Sequence, residues 1–177
     1  MLALLFAWGF AEATVFFVVA DVAVSWIALR SGLKPALAAA LAAAAGAVLG
    51  IALIYFWAVR EPAAALALVD RVPWVTAELI EGMRADLTAH GVAAVLVAGV
   101  TGVPIKIAAA LAPGVGIGPM LFLIAGAAQR LERFVAVALL AALIARLLRG
   151  RLSERSLTAL WTAFWVLFYA LYWAVLV

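Results

Sequence analysis

Three long apolar segments limit what this chain can fold into. They cover residues 34–59, 119–146 and 156–177. A helix needs about 20 apolar residues to cross a bilayer core about 30 Å thick, so each segment is long enough to span one. Hydrophobic residues make up 71% of the chain and mean hydropathy is +1.27, whereas globular domains are about 45–50% apolar. The sequence therefore predicts an all-α integral membrane protein.

The composition excludes several classes of function. The chain has no Cys and one His, His90, so it lacks the residues for a disulfide, a thiol nucleophile or a zinc cluster. Its net charge of +3 comes from scattered basic residues, without the basic, aromatic-rich run typical of nucleic-acid binding. No polar linker divides the 177 residues. We expect one membrane domain over residues 1–177, with no metal, cofactor or nucleic-acid partner.

Residues 1–33 are apolar but contain two acids, Glu12 and Asp21. A charge at the bilayer centre costs about 2.5–3.5 kcal/mol. On one straight helix the spacing of these acids would turn them to opposite sides, so one carboxylate would face lipid. If the chain turns back near residues 15–20, both acids can face one interior. We therefore predict a re-entrant hairpin over residues 1–33.

Residues 91–117 are similarly interrupted. Lys106 lies in the middle of this apolar stretch. The glycines and prolines that break its helical pattern are Gly99, Gly102, Pro104, Pro113, Gly114 and Gly116, followed by Gly118. Non-helical backbone at membrane depth is tolerated where protein or a water-filled cavity satisfies its polar groups. This pattern predicts a second re-entrant hairpin.

The segment of mixed polarity, residues 60–90, has apolar positions three to five residues apart, which predicts an amphipathic helix on the membrane surface. Cytoplasmic loops are enriched in Lys and Arg. That rule places two clusters of basic residues, at 30–34 and at 146–155, on the cytoplasmic side. The segment 60–90 and the C-terminus then lie outside. The basic residues are Arg30, Lys34, Arg146, Arg149, Arg151 and Arg155.

The two hairpins would then open to opposite sides, with residues 1–59 and 91–148 as an inverted pair of hairpin-plus-helix units. Transporters use this architecture to build a site at the membrane midplane. Gly46 and Gly50 form a small-xxx-small pair, which indicates a close helix contact and offers a surface for a homodimer.

Five charged residues within or beside apolar sequence are the candidate substrate-binding or ion-coupling residues: Glu12, Asp21, Lys106, Arg130 and Arg133. Ionisable residues inside a membrane are functional candidates by default. Arg130 and Arg133 share a helix face and could hold a phosphate or the two carboxylates through bidentate hydrogen bonds. The alternative is a buried ion-pair network of both acids with both arginines, which only locks the fold.

A set of residues along the chain forms a known pattern: His90, Gly91, Thr101, Pro104, Lys106, Gly114, Arg130, Arg133 and Phe134, with Glu12 and Asp21. This pattern resembles a family, the DedA superfamily of VTT or SNARE-associated-type membrane proteins, and within it the YqaA-like branch. The resemblance covers about residues 5–148. Where relatives carry tip prolines in the first hairpin this chain has residues 16–19, Phe-Phe-Val-Val, and Gln129 replaces the usual Gly before the first Arg.

The resemblance implies a transporter or lipid flippase with two opposed re-entrant hairpins in a bacterial inner membrane, acting on undecaprenyl phosphate or a phospholipid. Its partners would be membrane lipids. Arg130, Arg133 or Lys106 could replace the water around a lipid phosphate. Glu12 and Asp21 could exchange protons, which would make the proton the coupling ion.

Three other functions stay open as alternatives. A structural or envelope-homeostasis protein would use the charges only to hold its fold. An intramembrane enzyme has little support, because Ser25 and Thr101 are isolated hydroxyls and no Gly-x-Ser-x-Gly motif is present. An ion channel lacks a readable ring of carbonyls or acids. We expect no enzymatic activity.

Overall fold

The computed structural model describes residues 1–176 and is helical throughout, with no strand in this range. This confirms the all-α prediction. The helices are α1 (Leu2–Thr14), α2 (Asp21–Ser31), α3 (Leu33–Arg60), α4 (Pro62–Asp70), α5 (Ala77–His90), α6 (Ala93–Thr101), α7 (Ile105–Leu111), α8 (Pro119–Leu148) and α9 (Glu154–Leu176), with a 3-10 turn at Ala112–Val115 after α7.

One helix of the described chain, α3, is long and apolar enough to cross a membrane. It has 28 residues and a mean hydropathy of 2.4 over its 18-residue window, half of which is buried inside the protein. Core helices of soluble proteins can have the same length and composition, so α3 alone supports membrane insertion weakly. Charged residues at 130, 132, 133 and 146 interrupt α8. The predicted last span lies in α9, except for Val177, which is outside the described residues.

Six helices form two groups, α1–α3 and α6–α8. The middle helix of each group packs on the last helix of the other group. In the first group α1 packs on α3, and in the second α6 packs on α8. Crosswise, α2 packs on α8 and α7 packs on α3. The long helices are antiparallel, because Phe134 and Ala138 pack with alanines in the first half of α3, while Tyr55 near its end stacks on Phe122 at 5.2 Å. This reciprocal packing joins residues 1–60 and 93–148 into one body.

Each group contains a break between its first two helices. The chain leaves helix between Thr14 and Asp21, as the spacing of the two acids predicts, and again between Thr101 and Ile105. The breaks meet inside the molecule, where Lys106 Nζ donates a hydrogen bond to the carbonyl oxygen of Phe16 at 2.8 Å.

Glycines bring α1 into backbone contact with α3. A Cβ atom at Gly46 would lie 1.9 Å from the carbonyl oxygen of Phe6, and one at Gly50 would lie 2.9 Å from that of Phe10. The close helix contact predicted for this pair is therefore confirmed, but its partner is a helix of the same chain. The surface that we expected a homodimer to use is therefore covered by α1 of the same chain.

The segment 60–90 is not a single surface helix, and that prediction is wrong. It forms α4 and α5, separated by residues 71–76. Pro73 cannot continue a helix because it lacks an N–H donor, and Trp74 has a φ of 71°. Val72 and Val75 in this break are buried in the main hydrophobic cluster. The connector thus contributes to the core as well as to the surface.

Basic residues come together at one end of the molecule, which we call the basic end: Arg30, Arg146 and Arg149. Arg149 Nη2 donates to the carbonyl oxygen of Leu29 at 2.5 Å, and Arg30 pairs with Glu154 at 2.6 Å. These contacts join the end of α2 to the end of α8 and the start of α9. The connector 60–90 begins at the opposite end of α3.

Candidate charged site

The most buried ion pair joins the last turn of α1 to α8. Arg130 Nη1 donates to Glu12 Oε1 at 2.7 Å, with 3% and 6% of the two side chains exposed. The other carboxylate oxygen, Oε2, accepts the backbone N–H of Ala20 at 2.8 Å. Both oxygens of Glu12 are therefore satisfied, and the carboxylate links α1, the chain break and α8.

A second ion pair lies one helical turn further along α8. Arg133 donates from Nε and Nη2 to Asp21 Oδ2, at 2.8 and 2.6 Å. Asp21 is the first residue of α2, where the positive end of the helix dipole favours a carboxylate. Its Oδ1 is buried without a hydrogen-bond partner in the described part of the chain. Both acids pair with both arginines, as in the ion-pair network that the sequence offered as the alternative to a binding site.

Lys106 is the third buried cation, with 3% of the residue exposed. It lies in the first turn of α7, directly after the Gly102–Pro104 break, where a helix dipole disfavours a positive charge. Its ammonium donates to the carbonyl oxygen of Phe16, and no carboxylate of residues 1–176 lies within 4.0 Å of it. Lys106 is therefore the cation of the cluster without a counter-ion in direct contact.

A cavity of about 380 Å³ opens beside this cluster. Charged and aromatic side chains share its wall. Asp21 does not line it directly, but its partner Arg133 does. The charged lining residues are Glu12, Lys106, Arg130 and Arg133, and the aromatic ones are Phe16, Phe17, Trp74, Phe168 and Tyr169.

The cluster contains three cations and two carboxylates, so one positive charge is in excess. Arg130 Nε is buried with no hydrogen-bond partner among the described residues. A buried N–H donor without a partner is costly, and an anion entering the cavity could satisfy it. No group of three His, Cys, Asp or Glu residues in residues 1–176 could hold a metal ion. The chemistry offered is the binding of an anion beside apolar surface.

Sequence reasoning missed three aromatic residues of this region, Phe17, Trp74 and Tyr169. Tyr169 on α9 accepts the backbone N–H of Val19 with its hydroxyl oxygen at 3.0 Å, and its ring stacks on Trp74 at 6.0 Å. Phe17 meets Trp74 edge-on at 4.5 Å. Tyr169 was one of several aromatic residues in α9, and no local pattern relates it to a backbone group 150 positions earlier.

Gln129, which precedes the first arginine of the cluster, is almost fully buried. Its side-chain Oε1 and Nε2 have no hydrogen-bond partners among the described residues, and the side chain packs against Gly99 of α6. A small residue here would leave space between α6 and α8. Gln129 fills that space at the cost of an unsatisfied amide.

No protein-family model matches the chain, and neither a curated protein nor a solved structure matches it. The resemblance to the DedA superfamily therefore stays a prediction.

Proposed function

We propose that this protein is a membrane transporter that moves a phosphate-bearing lipid, such as undecaprenyl phosphate or a phospholipid, across the bilayer. The observation that carries this proposal is the cavity in which Lys106 and Arg130, both buried, lie beside aromatic side chains. A lipid phosphate needs cations to replace its water, and the chain attached to it needs apolar surface. The cavity offers both.

Phosphate binding would compete with the existing ion pairs. An anion that takes donors from Arg130 would weaken the hold of that guanidinium on Glu12, 2.7 Å away. A carboxylate that loses its buried counter-ion tends to take up a proton. Proton uptake by Glu12 on binding, and release when the pair reforms, would couple transport to the proton gradient; Asp21 would behave in the same way toward Arg133.

We propose that α3, α8 and α9 cross the membrane and that α1–α2 and α6–α7 are re-entrant hairpins. The basic end would face the bacterial cytoplasm, and the segment 60–90 and the C-terminus would lie outside. Because the sequence has no Cys, single cysteines can be labelled selectively. Gly82→Cys should react with an impermeant maleimide in intact spheroplasts, and Arg151→Cys should react only after lysis. Labelling of both positions from one side would contradict this topology.

A structural role is the second candidate, because each acid of the cluster is already paired with an arginine at 2.6–2.7 Å. Such a protein would need the charges only for folding. We propose no enzymatic step. The buried hydroxyl of Ser25 is already engaged. It accepts hydrogen bonds from the indoles of Trp161 and Trp165 and donates to the carbonyl oxygen of Val22.

Transport is tested with purified protein in liposomes, by the accessibility of a labelled polyprenyl phosphate or phospholipid across the bilayer. Lys106→Met is the most informative variant, since removing this cation breaks no ion pair. We expect it to fold and to lose most of the lipid movement, while Lys34→Met, which removes a charge at the basic end, keeps it. Wild-type protein that moves no lipid, or a folded Lys106→Met variant as active as wild type, would contradict the proposal.

A further inference from the structure

A second cavity lies at the basic end, far along α8 from the charged site. Its volume is about 630 Å³, and it lies between the start of α3 and the last turns of α8. Leucines form much of its wall. Leu139, Leu140 and Leu143 are 48%, 59% and 52% exposed, so the described chain leaves about half of each residue uncovered. An uncovered apolar wall of this kind indicates contact with a ligand, a partner or lipid.

Two arginines line the same cavity. Arg149 is anchored by its bond to the carbonyl oxygen of Leu29, which leaves its other N–H donors available. Arg146, one helical turn earlier, makes no ion pair or side-chain hydrogen bond with residues 1–176. The acid at this end, Glu154, is paired with Arg30. The cavity thus combines an apolar wall with cations whose charge is not neutralised.

We propose that this cavity binds an anionic phospholipid of the surrounding membrane. The phosphodiester would contact Arg146 and Arg149, and an acyl chain would lie along Leu139, Leu140 and Leu143. Charge complementarity selects this occupant, because basic pockets between membrane helices bind anionic headgroups while the leucines match an acyl chain. Gly32, at the α2–α3 junction, has no side chain and keeps this side of the cavity open. The inference rests on the proposed membrane insertion and not on transport.

The test is lipid binding by the purified full chain in a neutral detergent, followed by native mass spectrometry with phosphatidylglycerol and phosphatidylcholine. An arginine near a headgroup contributes about 1 kcal/mol, so Arg146→Gln should weaken phosphatidylglycerol binding about fivefold. Arg146→Gln with Arg149→Gln should weaken it about 25-fold by the same rule. The matched control is Arg151→Gln with Arg155→Gln, which removes equal charge outside the cavity and should change binding less than twofold.

Three further results separate this site from its alternatives. In a Lys106→Met background, Arg146→Gln with Arg149→Gln should weaken phosphatidylglycerol binding by the same factor as in the wild-type background; a loss confined to the wild-type background would assign the lipid to the central cavity. Leu143→Gln should weaken binding of the lipid, and soluble glycerol 3-phosphate should not compete with it. Equal effects of the two arginine pairs, or competition by glycerol 3-phosphate at lipid concentrations, would overturn the proposal. Because the comparison is repeated in a chain that lacks Lys106, its outcome does not depend on whether the protein transports lipid.

Discussion

The two halves of the molecule use glycine in different ways. In the first half, Cβ atoms at Gly9 and Gly46 would lie 2.0 and 1.9 Å from carbonyl oxygens of Ala43 and Phe6, so α1 and α3 meet backbone to backbone. In the second half, a Cβ at Gly99 would lie 2.7 Å from side-chain atoms of Gln129. There the glycine of α6 faces a flexible side chain of α8 and not a backbone group.

This difference indicates which half is rigid. Backbones in direct contact cannot adjust without moving a whole helix, because protein interiors are packed close to crystal density. The Gln129 side chain can change rotamer, and its amide has no hydrogen bonds to lose among the described residues. We therefore expect the first half to act as a fixed frame and α6 to shift at lower cost.

Gly46→Leu should have the largest effect. The new side chain would overlap the backbone of Phe6, so α1 cannot dock on α3, and we expect a loss of about 3 kcal/mol or more, or no folded protein. The measurement is thermal unfolding in detergent. Gly82→Ala is the control, because a Cβ there meets nothing within 4 Å and should be neutral or stabilising. A folded Gly46→Leu variant with wild-type stability would refute the rigid frame.

Glu12→Ala should have the next largest effect, because Glu12 links the rigid half to α8. Its removal leaves the Arg130 guanidinium buried without a counter-ion, which costs about 3–5 kcal/mol. Asp21→Ala should cost less, since 23% of the Arg133 side chain is exposed. Glu154→Ala breaks an exposed pair and should cost at most about 1 kcal/mol. Equal losses for Glu12→Ala and Glu154→Ala would show that burial of the first pair is not what matters.

Gly99→Ala tests the adjustable contact. We expect a loss of about 1–3 kcal/mol from crowding against Gln129, and recovery of most of it when Gln129→Ala is added. In a double-mutant cycle the two changes should therefore be strongly coupled. Additive losses would mean that Gly99 and Gln129 are not in contact.

Tyr169→Phe should have the smallest effect. It removes the acceptor of the Val19 N–H, and a typical hydrogen bond contributes about 1 kcal/mol. Hydrogen exchange at Val19 should become faster, while Phe164→Leu on the exposed part of α9 should leave it unchanged. An unchanged exchange rate in Tyr169→Phe would show that α9 does not hold the first break.

Much of the charged site was predictable because buried charges need partners. Two acids on one apolar segment required a turn between them, and the chain breaks there, with Glu12 on Arg130 and Asp21 on Arg133. Contacts between distant segments were not predictable. The spacing of residues 60–90 predicted one helix and did not indicate the buried break at Pro73. The Gly46 pair predicted a close helix contact but did not indicate that the partner helix is α1. Tyr169 contacts the site only because the fold brings α9 to the backbone of Val19.

Exchanging the two charges of the buried pair separates a transport site from a structural lock most directly. Glu12→Arg combined with Arg130→Glu keeps an ion pair between α1 and α8 but moves the guanidinium away from α8 to the side of the Ala20 N–H. Because the exchange leaves the Ala20 N–H without its acceptor, the unfolding temperature is recorded for each variant and lipid movement in liposomes is measured for those that fold. We predict that the exchanged protein folds and moves lipid at least tenfold more slowly than wild type, about 1.4 kcal/mol. A folded, exchanged protein with the wild-type rate would contradict the transport site and leave the pair as a structural lock.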